Sequence, residues 1–135
     1  MRFVDTNIFL YAVSTAREER AKKERALAIL DEEDLALSVQ VLQEFYVQAT
    51  HEIRRERLTH EQAVALIESW LRFRVQEVSV GVMRSALATV ARWGISYWDA
   101  AIVEAAREAG CPTLLSEDLR DGMEFAGVRV ENPFL

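Results

Sequence analysis

The strongest constraint on this chain is the repeated alternation of short apolar runs with longer segments of helical periodicity. Arg2 to Val4, Leu35 to Leu37, Val75 to Val80, Thr113 to Ser116 and Val128 to Val130 read as strands. Between them the spacing predicts helices. Ile8, Phe9, Tyr11 and Ala12 recur with a helical period directly after Asp5, and Ala16 to Glu33 is rich in Ala, Glu, Lys and Arg, with Ala26, Leu27, Ile29 and Leu30 as its apolar stripe. Ser38 is a suitable N-cap for a helix from Val39 to about Glu52. Thr59 and Gln62 make a capping-box pair that opens a helix through Phe73, and Ser96 with Asp99 repeats the spacing ahead of Tyr97 to Glu108. A helix from Val82 to Trp93 stops at Gly94, and Gly110 with Pro112 closes the next one.

Strands that alternate with helices predict an α/β three-layer sandwich, with a central parallel sheet of about four to five short strands flanked by helices and joined by right-handed crossovers. The chain has 135 residues, half of them apolar, and no linker-like or repetitive tract divides it, so one domain over 1–135 is expected. No apolar run approaches the roughly 20 residues needed to span a bilayer. Met1 to Asp5 carries no cationic segment followed by an apolar one. A soluble, cytoplasmic protein with no membrane partner is therefore expected. Cys111 is the sole cysteine, which rules out an intramolecular disulfide, and its place ahead of the apolar run at Thr113 predicts burial. The formal net charge of −6 argues against broad attraction to polyanions, although a bound cation and local Arg clusters can still recruit a phosphate backbone.

Several acids fall where an open α/β sheet places its ligand crevice, beyond the carboxyl ends of the strands. Asp5 and Asp118 follow predicted strands directly. Asp99 lies in the first turn of its helix, and Glu44 lies early in the helix behind Leu35 to Leu37. Gathered without basic neighbours, the four would repel one another and resist ionisation unless a hard divalent cation joined them. Mg²⁺ or Mn²⁺ would suit phosphodiester hydrolysis, activating water and offsetting developing charge. Each acid also has a plain structural explanation. Asp5 can cap the first helix, Asp99 can serve its capping box, and Glu44 can belong to a solvated stripe with Gln40, Gln43 and Gln48. Asp118 and Asp121 flank Arg120 before Gly122 in the manner of an ordinary turn.

Four segments together resemble the PIN-domain family, in particular its VapC-type toxins of toxin–antitoxin pairs. Phe3-Val4-Asp5-Thr6-Asn7-Ile8 is similar to the family's strand ending in Asp-Thr-Asn, and Ser38 through Gln43-Glu44-Phe45 is similar to its Ser followed by a helical Glu. Ile95-Ser96-Tyr97-Trp98-Asp99-Ala100-Ala101-Ile102 and Leu114-Leu115-Ser116-Glu117-Asp118-Leu119 resemble the segments with the third and fourth acids, and Asn132-Pro133-Phe134 resembles the end of some members. The resemblance runs from Arg2 to Phe134 with the motifs in family order. It implies a catalytic, metal-binding set of Asp5, Glu44, Asp99 and Asp118, supporting hydrogen bonds from Asn7 and Ser116, and Asp121 as an additional acid. It further implies a Mg²⁺- or Mn²⁺-dependent endoribonuclease that cuts RNA until a cognate antitoxin inserts a segment into the active site. A homodimer is also expected.

Other features carry less. Arg17, Arg20, Lys22, Lys23 and Arg25 form one basic group and Arg54, Arg55 and Arg57 another. Both interleave with glutamates as a solvated helix does, so individual residues are read as surface before they are read as phosphate ligands. Trp70, Trp93 and Trp98 invite base stacking, but their helical setting favours core or dimer packing. His51 and His60 lack a matched nucleophile, and no Gly-rich phosphate loop or paired-Cys zinc spacing is present. Two alternatives stand beside the nuclease. One is a catalytically silent PIN-like binding module, which retention of all four acids disfavours. The other is a metal-dependent phosphatase with an aspartyl nucleophile, for which Asp5-Thr6-Asn7 lacks the usual second Asp.

Overall fold

A computed structural model describes all residues from Met1 to Leu135. Its elements run β1 (Arg2–Val4), α1 (Thr6–Ala12), α2 (Arg20–Leu30, entered through a 3-10 turn at Arg17–Glu19), β2 (Leu35–Ser38), α3 (Val39–Ala49), α4 (His60–Trp70), β3 (Arg74–Gln76), α5 (Val80–Trp93), α6 (Tyr97–Glu108), β4 (Thr113–Leu115), β5 (Glu124–Phe125) and β6 (Val128–Glu131). The sheet order is β3-β2-β1-β4-β6-β5. Five strands are parallel, and β5 pairs antiparallel with β6. The expected α/β sandwich is the observed fold, with a sixth strand and a mixed rather than purely parallel sheet.

The chain steps outward from β1 through β2 to β3, then returns across the sheet to β4 on the far side of β1. Right-handed crossovers in opposite directions put their helices on opposite faces. In keeping with this, α1 packs on α2 and α3, and α3 on α4, whereas α6 lies across β2, β3, β4 and β6 with α5 outside it. The small residues Ala100, Ala101, Ala105 and Ala106 let α6 lie close between sheet and α5, so it is buried nearly all round. On the other face Trp70 meets Phe9 and Phe45 edge to face, at centroid distances of 4.6 and 4.7 Å, joining α4, α1 and α3 in one core. Cys111 is buried as expected, and burial pushes its thiol pKa up. No helix is long and apolar enough to cross a membrane.

Local differences have local causes. The strand expected at Val75 to Val80 ends at Gln76, because the Ser79 hydroxyl accepts the Val82 N–H and starts α5 at Val80 rather than Val82. The helix expected over Ala16 to Glu33 is shorter, since the Ser14 hydroxyl bonds both the Ala16 N–H and Glu19, shaping a turn before α2 begins. The unanticipated β5 is two residues long and has no period to read. It exists because Ala126 (φ 47°) and Gly127 (φ 98°) supply the paired positive φ of a tight hairpin. Arg107 then ties that hairpin to α6 by donating to the Phe125 and Ala126 carbonyls while pairing with the buried Glu104.

Candidate active site

β1 and β4 are neighbours whose following segments leave in opposite directions, so the edge beyond Val4 and Leu115 is the topological switch point of the sheet. Asp5 leaves β1 there, and Ser116 to Asp118 leave β4. A crevice of about 150 Å³ opens at this point, lined by Asp5, Glu44, Asp99 and Asp118 with Thr6, Asn7, Leu10, Gln48, Trp98 and Ile102. The four acids singled out in the sequence are therefore brought to one place. Asp121 is not among them. It stands on the next turn, where its carboxylate accepts the Asn132 N–H at 2.8 Å.

Asp5 is the most constrained of the acids, at 4% exposure. One carboxylate oxygen accepts the Thr6 N–H at 2.7 Å and caps α1, while the other accepts the Ser116 hydroxyl at 2.7 Å. Capping and facing the crevice are thus the same placement. Burial pushes the Asp5 pKa up to about 7 against the lowering effect of these two bonds, and the nearby Asp118 and Glu44 carboxylates add to the rise. Ser116, wholly buried, also accepts from Asn7 Nδ2 at 3.3 Å and from the Asp118 N–H at 3.1 Å. It therefore holds the β1 and β4 ends of the site together. Asn7 Oδ1 is buried and has no hydrogen-bond partner.

Glu44 reaches the crevice from α3, half-buried, with its carboxylate accepting the Thr6 hydroxyl at 2.7 Å. Gln40, one turn earlier, is buried rather than solvated. Its amide lies 3.5 Å from Glu44 and donates at 3.2 Å to the Trp98 carbonyl, joining α3 to the start of α6. Ser96 caps α6 by accepting the Asp99 N–H at 3.1 Å, but the return bond that would complete a capping box is not made. The Asp99 carboxylate, like that of Asp118, accepts no hydrogen bond from the protein and is free for another ligand. Behind the crevice Tyr11 and Lys22 both bond Glu117, the latter at 2.9 Å, anchoring the turn between Ser116 and Asp118. Burial and Glu117 raise the Tyr11 pKa, so the phenol stays a donor.

A PIN-domain family model matches residues 2–126. The chain belongs to the PIN-domain family. Among solved structures this PIN domain is similar to a toxin–antitoxin complex from Klebsiella pneumoniae, with TM-score 0.72 and 18% identity over 98% of each chain. It is also similar to VapC20 of Mycobacterium tuberculosis, described as a sarcin-ricin loop cleaving toxin, with TM-score 0.69 and 21% identity over 96% of this chain and 99% of that one. VapBC2 from Rickettsia felis bound to a promoter DNA fragment gives TM-score 0.64 and 18% identity over 97% of each chain. At these identities the likeness establishes the PIN fold of VapC-type toxins. No curated protein matches the chain in sequence.

The donor set fits a hard divalent cation in its chemistry. It is all oxygen, it includes an orphaned buried amide oxygen on Asn7, and its buried carboxylate has a pKa that a neighbouring cation would lower. The acids are nevertheless not drawn into a ready cluster, since no three carboxylate, His or Cys side chains stand close enough together to form one. Glu44 is held by Thr6 and Asp5 by Ser116, which keeps like charges apart. An ion that retains much of its water shell needs few direct protein ligands.

Sequence reasoning missed three members of this site. Thr6 bonds both Asp5 and Glu44, and its only signal was its place between Asp5 and Asn7. Gln40 had the four-residue spacing from Glu44, read as solvation. Trp98, expected in a core or a dimer contact, is not in the core: it is 63% exposed at the lip of the crevice. Trp70 is core, and Trp93 packs on Phe125 at 5.3 Å. The histidines stand apart from the crevice, His60 bonding Tyr46 at 2.9 Å.

Proposed function

We propose that this PIN domain, acting as one unit over 1–135, is a Mg²⁺- or Mn²⁺-dependent endoribonuclease and the toxin of a toxin–antitoxin pair. The observation that carries the reading is the convergence of Asp5, Glu44, Asp99 and Asp118, from four separate elements, on one crevice at the switch point. When bound there, the ion supplies an activated water and neutralises charge on the phosphate. Asp99 and Asp118, the acids without protein partners, are the foremost ligands, with Asp5 beside them and Glu44 completing the rim. Ser116 positions Asp5 through its hydroxyl, and Asn7 positions Ser116. The apolar walls Leu10 and Ile102 limit bulk water around the reacting phosphate.

Affinity for a polyanion requires cations despite the net charge of −6. Arg17, Arg20 and Lys23 line a concavity of about 400 Å³ between α1 and α2, and none of the three forms an ion pair. The Thr15 N–H in its wall donates to Glu56 at 3.1 Å, which brings the Arg54, Arg55 and Arg57 loop beside it. Two basic groups remote in sequence thus form one surface suited to RNA phosphates. Toxin–antitoxin complexes among the similar structures support a cognate antitoxin as regulator. The exposed stripe Val80, Met83 and Leu87 on α5 supports a homodimer. The test is cleaved-end mapping of total RNA with wild-type protein and Asp99→Asn, each with Mg²⁺, Mn²⁺ or EDTA. Cleavage by the wild type with metal alone, lost in a folded Asp99→Asn variant, is expected. Full activity in that variant, or in EDTA, would refute the assignment.

A further inference from the structure

A second pocket of about 290 Å³ adjoins the acidic crevice and shares Glu44, Gln48 and Trp98 with it. Its remaining walls are Gln40, Gln43 and Val47. We propose that this pocket is a nucleobase subsite, in which Trp98 stacks on a base of single-stranded RNA next to the phosphate being cut. The inference rests on the nuclease reading and adds to it the group that is recognised beside the scissile bond.

Three observations favour that occupant. Trp98 sits one residue before Asp99 in the first turn of α6, so a base against its ring is tethered to a phosphate near the acids. Its indole is 63% exposed, an unusual cost for an aromatic surface that contributes nothing to the core. Base stacking on an aromatic face recovers such a cost and tolerates any base. Secondly, the facing surface of α3 offers side-chain amides, each carrying both a donor and an acceptor and matching the mixed edges of a base. The Gln43 and Gln48 side chains are exposed and make no hydrogen bonds within the protein, while the Gln40 amide is committed to Glu44 and the Trp98 carbonyl and fixes the width of the cleft. Thirdly, the volume lies at the lower end of ordinary small-ligand pockets, about 300–1,000 Å³, which suits a nucleoside-sized group.

A protein segment is the less suitable occupant. The neighbouring face of α3 and α4, formed by Leu42, Tyr46, Ile67 and Leu71, is almost wholly apolar and is where a partner's apolar side chains would gain more. The Trp98 pocket combines the apolar indole and Val47 with three side-chain amides, and through Glu44 and Gln48 it is continuous with the acidic crevice.

The test measures anisotropy of labelled single-stranded hexaribonucleotides in EDTA, where binding is read without cleavage, for wild type, Trp98→Ala and Trp98→Phe. The expected result is affinity about tenfold weaker for Trp98→Ala and nearly retained for Trp98→Phe, which keeps a stacking face. An abasic nucleotide at the subsite position should weaken wild-type binding to the level of Trp98→Ala and leave Trp98→Ala unaffected. In the cleavage assay with Mg²⁺, Trp98→Ala should raise KM with kcat little changed. Equal affinities for wild type and Trp98→Ala would overturn the subsite, as would a change in oligomeric state of Trp98→Ala on sedimentation, which would assign the ring to a protein contact. If wild type neither binds nor cleaves RNA, the nuclease reading itself fails. If wild type cleaves and Trp98→Ala has the same KM, only the subsite fails.

Discussion

Asp5→Asn should change how the stability of the metal-free protein depends on pH. The buried Asp5 carboxyl holds its proton up to about pH 7, whereas in the unfolded chain it ionises near 3.8. Between those values the native state binds more protons than the unfolded state, so stability must fall as pH rises. The advantage of the protonated form is complete below 3.8 and has gone above about 7. Over that interval, at about 1.4 kcal/mol per pH unit, the loss comes to about 4 kcal/mol. About two-thirds of it, roughly 3 kcal/mol, falls between pH 5 and pH 8. Asparagine has the same shape and no charge to desolvate, but its amide has a single acceptor oxygen and cannot accept both the Thr6 N–H and the Ser116 hydroxyl, which costs about 1 kcal/mol at every pH. Urea unfolding of wild type and Asp5→Asn in EDTA, from pH 5 to pH 8.5, separates the two effects. The variant should gain about 3 kcal/mol relative to wild type across the range and become the more stable protein at the alkaline end. Adding Mg²⁺ at pH 8 should restore wild type and leave the variant less affected, because an ion bound only by the native state stabilises that state. Stability curves that stay parallel from pH 5 to pH 8.5 would refute the claim that Asp5 is buried without a compensating positive charge.

Ser116→Ala removes the donor to Asp5 and the acceptor for both Asn7 Nδ2 and the Asp118 N–H in a fully buried position, and should cost about 1–3 kcal/mol in urea unfolding at pH 6. Because the lost bond was lowering the Asp5 pKa, the penalty should grow at pH 8. Ala126→Gly should raise stability by about 0.5–1 kcal/mol, read as a higher melting temperature with RNA cleavage unchanged. Ala126 occupies φ 47° in the β5–β6 turn, remote from the crevice, where glycine carries no Cβ penalty.

The sequence made the scaffold legible where one physical signal was sufficient. Ser38, Thr59 and Ser96 each cap the helix they were expected to cap, because a short hydroxyl before an apolar period has few other uses at a strand-to-helix junction. The two-residue strand β5 was not legible. Its formation depends on the φ of Ala126, which no preference of alanine announces, and on Arg107 arriving from α6. Gln40, and the exposure of Trp98 where core packing was one of two expectations, escaped local reading for a related reason. Helical spacing says that Gln40 and Glu44 share a face but not whether that face meets water, and α6 arrives over it only through the crossover from β3 to β4.

The same distinction explains why four acids, each unremarkable in its own segment, read differently in the fold. Asp5 caps α1 and Asp99 lies in a capping turn, as local reasoning says. What local reasoning lacks is the strand order, which sets β4 against β1 and so turns two helix starts and two strand ends into the walls of one crevice. Once they face each other, capping no longer accounts for the chemistry. A cap needs one carboxylate oxygen on an N–H and gains from solvent around the rest. Asp5 instead spends its second oxygen on a buried serine and sits beside Asp118 and Glu44, neighbours that make its charge harder to hold. A fold under selection for stability alone would place asparagine or serine at that position, since both cap a helix as well and neither pays the desolvation. On the proposed reading, the carboxylate answers to something outside the chain, and a cation accompanying a phosphodiester would supply the charge that resolves the conflict.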